Sequence, residues 1–175
     1  MRLGLQRAGV AHEPRLVEAI LATYLEALAD EMPRSPGYRV HAGVEAVLDA
    51  MEGRPAAAIG LGTGNLREGA RLKLARGGLD ARFAFGGFGC DAEDRAELLR
   101  VGAARGAERL GVAAEACRVV VVGDTPRDVA AAAAIGAECV AVCTSGCDAE
   151  TLRAAGPCLA FPGLDDPGVL VALGG

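Results

Sequence analysis

The sequence is poor in aromatics, has a single lysine and two histidines, and holds no long apolar run; each scarcity closes off a class of protein. Aromatic residues make up 3% of the 175, so any core must be built from Ala, Val, Leu and Ile. Aliphatic material is ample: the chain is 51% hydrophobic, enough for one domain, or one domain with a small appendage. No stretch reaches the roughly eighteen consecutive apolar residues read as a membrane span. The start does not read as a signal peptide, because Gln6, Arg7, His12 and Glu13 interrupt any apolar stretch. There is no basic block, and the formal net charge of -5 argues against a nucleic-acid partner. An anionic ligand would need locally placed positive groups, since the overall field repels it.

The six cysteines (Cys90, Cys117, Cys139, Cys143, Cys147 and Cys158) form no C-x-x-C pair. Cys139 and Cys143 lie in or near an apolar strand and read as small core residues. Reduced thiols and a cytoplasmic location are expected ahead of a disulfide framework or a zinc site. Basic residues are almost all Arg, with Lys73 the one lysine.

Residues 13–32 read as an amphipathic helix: Pro14 suits the first turn, and Leu16, Ile20, Tyr24 and Leu28 recur at helical spacing. Pro33-Arg34-Ser35-Pro36-Gly37 ends it, and a second helix spans Val44 to Met51. From Pro55 the pattern changes. Ala56 to Leu61 predicts a strand buried on both faces, and Phe83 to Phe88 a weaker one. Val119 to Val122 is the clearest strand; Cys139–Val142 and Leu159–Phe161 complete the set. Helices are expected from Leu66 to about Arg76, Asp91 to Leu110, Pro126 to Ile135 and Asp148 to Ala155. Strands alternating with helices imply an α/β fold with a parallel sheet and right-handed crossovers. Chemistry in such sheets gathers at the carboxyl ends of the strands.

Polar clusters fall at that edge. Gly123-Asp124-Thr125-Pro126-Arg127-Asp128 follows the valines. Asp124 and Asp128 offer the hard oxygen ligands that Mg²⁺ prefers. The competing reading is that Asp124 and Thr125 only cap the next helix. Gly62-Thr63-Gly64-Asn65 opens another helix, where a hydroxyl and backbone N–H groups can hold a phosphate oxygen. It lacks G-K-[ST], so it is no P-loop, and the spacing of Gly60, Gly62 and Gly64 departs from a dinucleotide fingerprint.

Together these segments resemble the haloacid dehalogenase superfamily of aspartate-dependent hydrolases, closest to its phosphoglycolate-phosphatase-like branch, over about His41 to Leu173. The resemblance implies a three-layer Rossmann-like parallel sheet, with residues 1–38 as a partial helical cap and 39–175 as the core. It implies a Mg²⁺-dependent phosphatase acting on a small phosphorylated metabolite through an aspartyl-phosphate. Gly123 to Val129 is similar to the family's fourth motif, so Asp124 and Asp128 are the implied metal residues. Thr63 is similar to the second motif; with Gly64 and Asn65 it would hold phosphate oxygens. The third motif, a Lys or Arg, has no Lys-Pro here, and Arg95 is the preferred match, with a surface arginine as the competing reading. Lys73 is set aside, because ten residues of helix at about 1.5 Å each place it roughly 15 Å from Thr63.

The family's first motif, Asp-x-Asp on the first strand, does not occur in the sequence. Arg2 to Val10 instead resembles a cap helix. The expectation is therefore a core without its central strand, through a late start, a real truncation or a strand supplied by another chain, the first being favoured. Such a chain would be inactive and would expose sheet edges for self-association. Each unpaired buried backbone group would cost about 1–3 kcal/mol against a net stability of about 5–15 kcal/mol. The other reading of the chain is a non-catalytic phosphate- or metal-binding fragment. A metal-independent small-acid dehalogenase is disfavoured by the aspartate pair, and a response-regulator receiver by the late position of Asp124.

Overall fold

The computed structural model describes residues 13–174. The segment Arg2 to Val10, read as a cap helix, lies outside them. Helix α1 (Pro14–Glu31) starts with Pro14 in its first turn, as the spacing predicts, and α2 (Val44–Glu52) follows after a 3-10 turn and a loop. Then come β1 (Leu61–Thr63), α3 (Arg67–Ala75), β2 (Gly86–Phe88), α4 (Arg95–Leu110), β3 (Val120–Gly123), α5 (Pro126–Ala134), β4 (Glu138–Val142), α6 (Ala149–Ala154), β5 (Leu159–Phe161) and α7 (Pro167–Gly174). The fold is α/β, and every strand pairing is parallel.

The sheet comes in two pieces. β1 pairs with β2, Leu61 opposite Gly86 and Thr63 opposite Phe88. β3, β4 and β5 form the second piece in that order, with Val120 opposite Glu138 and Val142 opposite Phe161. Among the described residues no strand pairs the other edge of β1 or the other edge of β3.

The second piece is three-layered. Alternation along β4 sends Cys139 and Ala141 to one face, where they meet Val129 and Ala132 of α5 and Leu152 of α6. Val140 points the other way, into Val47 of α2 and Val169 of α7. Small residues allow this closeness. Val129, Ala132, Ala141, Leu152 and Val169 are fully buried, so a core almost without aromatics is still dry.

Helix α4 joins the two pieces, packing on β1 and β2 on one side and on α5 on the other. Its approach to β2 needs glycine at both surfaces. A Cβ on Gly87 would lie 1.7 Å from the Leu98 carbonyl oxygen, and one on Gly102 would lie 3.0 Å from the Gly87 nitrogen.

Three boundaries differ from the sequence reading. The strand expected over Ala56–Leu61 begins only at Leu61, and the one expected over Phe83–Phe88 begins at Gly86. Here the two chains do not form a ladder: the Phe85 ring packs over Gly60, where a Cβ would meet it at 2.4 Å. The helix expected from Asp91 starts at Arg95, because Asp94 is its cap, accepting from the Glu97 N–H at 3.0 Å. Asp91 serves the preceding loop instead, accepting from the Phe88 N–H at 2.9 Å and pairing with Arg105.

Candidate active site

The carboxyl ends of β1, β2, β3 and β4 open into four short loops, and the polar residues singled out in the sequence sit in or beside these. The most tightly built is the turn from β3 into α5. Thr125 caps α5 and forms a capping box with Asp128: each side chain bonds the other's backbone N–H. Asp128 is 4% exposed. Its Oδ2 accepts from the Thr125 hydroxyl at 2.6 Å, the Thr125 N–H at 3.1 Å and the Asp124 N–H at 3.3 Å. Its Oδ1 takes the Arg95 Nε at 2.6 Å and also pairs with Arg95 Nη2. Gly123 makes the room, since a Cβ there would strike the Asp128 Cβ at 2.3 Å.

Arg95, in the first turn of α4, reaches both pieces of the sheet. Besides Asp128 it donates through Nη2 to the Gly62 carbonyl of β1 at 3.3 Å. It thus links the residue before Thr63 to the carboxylate that holds the Asp124 backbone.

At the end of β1, Thr63 turns its hydroxyl inward. Oγ1 accepts from the Asn65 N–H at 3.2 Å and from Asn65 Nδ2 at 2.8 Å. Lys73 Nζ donates to Asn65 Oδ1 at 2.8 Å. This corrects the expectation that Lys73 stands far from the site. The helix begins at Arg67, so fewer than ten residues of helix separate Lys73 from Thr63, and Cα–Cβ bonds tilt toward a helix's N-terminus, so a long side chain reaches back along it. Gly64 is exposed, with no atom within 4 Å of where a Cβ would stand, while its carbonyl lies against Gly89. The Gly89 N–H bonds the Asn65 carbonyl at 2.9 Å, tying the loop after β2 to this one. Arg67 lies over the Phe88 ring at 4.3 Å and adds a cation at the same edge.

Asp124 is held less completely. Its Oδ2 accepts from the Thr144 hydroxyl at 3.2 Å, and its backbone carbonyl accepts from Ser145 Oγ. Its Oδ1 has no partner among the described residues. Arg127, beside it in the chain, is exposed.

The donor chemistry divides the two aspartates as metal ligands. Asp124 presents an open carboxylate oxygen at a strand end, which fits a hard cation. Both oxygens of Asp128 already take donors, which does not fit direct ligation. No three His, Cys, Asp or Glu side chains among the described residues cluster as ligands, so Asp124 would be one contributor to such a site. Thr144 and Ser145 are site residues that the sequence reading missed.

Parallel strands separated by helices, with polar side chains gathered at their carboxyl edge, define an α/β protein whose chemistry sits on loops. The family model for haloacid dehalogenase-like hydrolases matches residues 6–136, about three quarters of the chain, and the chain belongs to that hydrolase family. No curated protein matches the chain.

Proposed function

We propose that the site is the phosphate- and Mg²⁺-binding part of a phosphomonoester hydrolase of the phosphoglycolate-phosphatase-like branch, in which the attacking aspartate comes from a strand other than β1 to β5. One observation carries this reading: Thr63 and Asp124 stand at the ends of β1 and β3, each of which has an edge unpaired among the described residues, and Arg95 bridges from Gly62 of β1 to Asp128 after β3. A strand placed there would bring its carboxyl end between the phosphate loop and Asp124. Residues 1–38 are assigned to a partial cap, and the substrate to the small phosphorylated metabolites of the cytoplasm.

Each side chain then has a task. Thr63 Oγ1 and the Gly64 N–H hold phosphate oxygens, and the Asn65 N–H, which donates to Thr63 Oγ1 in the unliganded loop, would have to turn from it to join them. Lys73, fixed by Asn65, supplies positive charge on that side, and Arg95 supplies it on the other. Asp124 offers the direct oxygen ligand to Mg²⁺. Asp128 acts one step back, orienting Arg95 and the Asp124 backbone. Bound Mg²⁺ would screen the phosphate charge.

Titration of the chain with inorganic phosphate tests this reading. Saturable binding that weakens strongly in Thr63→Val is expected; undiminished binding in that variant overturns the assignment. A second reading, a self-associating non-catalytic fragment, draws on the same open edges and on Val122 of β3, which is 43% exposed. Size-exclusion chromatography separates the two: a concentration-dependent dimer favours the second, a monomer that binds phosphate the first.

A further inference from the structure

The loop after β4 touches the site although nothing in its sequence marks it as part of one. It leaves β4 through Cys143, whose N–H bonds the Phe161 carbonyl at 3.0 Å and so fixes the loop's start to β5. It turns at Gly146, in the left-handed region at φ 88°. It ends at Asp148, which caps α6 by accepting from the Thr151 N–H at 2.8 Å. Between these anchors, Thr144 and Ser145 both turn to Asp124. Thr144 Oγ1 donates to the carboxylate at 3.2 Å, and Ser145 Oγ donates to the same residue's carbonyl.

We propose that Thr144 and Ser145 are positioning residues for Asp124: they hold one carboxylate oxygen and the backbone still so that the other oxygen, Oδ1, faces a divalent cation. The inference rests on the metal reading of Asp124 given above. Its physical basis is that a ligating carboxylate is itself oriented by hydrogen bonds, and that loss of such a partner lowers metal affinity by about 10–100-fold. A carboxylate on a short loop can rotate about two torsions. From a loop pinned at both ends, the Thr144 hydroxyl restrains that rotation and the Ser145 hydroxyl fixes the backbone it starts from, before the cation arrives. Neither hydroxyl need touch the metal or the phosphate.

The test uses the whole chain with Mn²⁺ as the probe, read by electron paramagnetic resonance of the unbound ion, so no turnover is needed. Asp124→Asn examines the reading beneath: it is expected to abolish binding, and if the unmodified chain binds no Mn²⁺ or Asp124→Asn binds it as well, that reading and this inference fall together. Thr144→Val is expected to weaken binding about tenfold or more. Thr144→Ser, which keeps the hydroxyl, is expected to restore it, an effect that loss of packing alone would not produce. Ser145→Ala alters an exposed side chain and is expected to weaken binding less. Binding lost in Asp124→Asn but unchanged in Thr144→Val overturns the positioning role while leaving the metal reading intact. Should Thr144→Val not fold, unchanged binding in Ser145→Ala does the same. Thr144→Ser as weak as Thr144→Val also overturns it.

Discussion

At the scale of single residues, Asp128 shows how one side chain serves local structure and site together. Its capping bonds to Thr125 would suit any helix. Its pairing with Arg95 reaches across to β1, and its burial makes the pairing consequential. Truncating one partner of a buried ion pair leaves the other's polar groups unsatisfied, so Asp128→Ala is expected to cost about 3 kcal/mol in urea unfolding. Arg95→Ala leaves the buried Asp128 carboxylate without its counter-charge, so it is expected to cost about as much, about 3 kcal/mol. An Asp128→Ala loss below about 1 kcal/mol would mean that the pair behaves like a surface contact. Asp91 makes a prediction in pH. The Arg105 guanidinium, helped by the Phe88 N–H, holds its carboxyl down from the usual 3.8 to about 2. Because the folded value is the lower one, this contribution to stability is complete above about pH 4 and is lost as pH falls toward 2. Asp91→Asn should therefore flatten the acid limb of a stability–pH curve over that window and leave its neutral-to-alkaline shape unchanged. Burial drives the Cys139 thiol the other way, up to about 11, which makes it inert core material rather than a nucleophile.

At the scale of elements, the clearest signals in the sequence are those with local causes. Four valines followed by Gly123 gave β3, Pro126 in the first turn gave α5, and Asp148 gave the start of α6. Less was legible wherever a distant partner decides. Neither the late start of β1 nor that of β2 has a local cause; before Leu61 and Gly86 the Phe85 ring lies against Gly60, a contact between separate segments that no local pattern shows. Helix rise alone places Lys73 far from Thr63; the reach of its side chain brings Nζ back to Asn65. The bonds from Thr144 and Ser145 to Asp124 span 20 and 21 residues and join loops of neighbouring strands, so no spacing rule points to them. The Thr125–Asp128 box is half legible: the sequence offers Asp124 and Thr125 as caps, and in the structure Thr125 caps α5 together with Asp128, which also pairs with Arg95. Packing at this scale is tested by Leu152→Ala. Leu152 is fully buried between α5 and β4, and its loss should cost about 2–5 kcal/mol. A cost well below that range in chemical denaturation would mean that the α6 layer is loose.

At the scale of the molecule, the division of the sheet is the governing fact. β4 is hydrogen-bonded on both sides, while among the described residues β1 and β3 each have one unpaired edge. Amide hydrogen exchange should therefore be slowest in β4 and distinctly faster in β1 and β3, since strands bonded on one side open at lower cost. Equal protection in β3 and β4 would contradict an open edge. The two pieces are held together by α4 and by Arg95, and the proposed phosphate and metal groups lie on opposite sides of the gap. On the reading proposed above, such a site would gather phosphate and cation without completing a reaction, the attack being proposed to come from an aspartate on a further strand. Magnesium-dependent hydrolysis of p-nitrophenyl phosphate by the purified 175-residue chain tests this most directly. The account predicts a rate no higher than that of Asp124→Ala. Substantial hydrolysis by the unmodified chain, lost in Asp124→Ala, would contradict it and place a nucleophile within these residues.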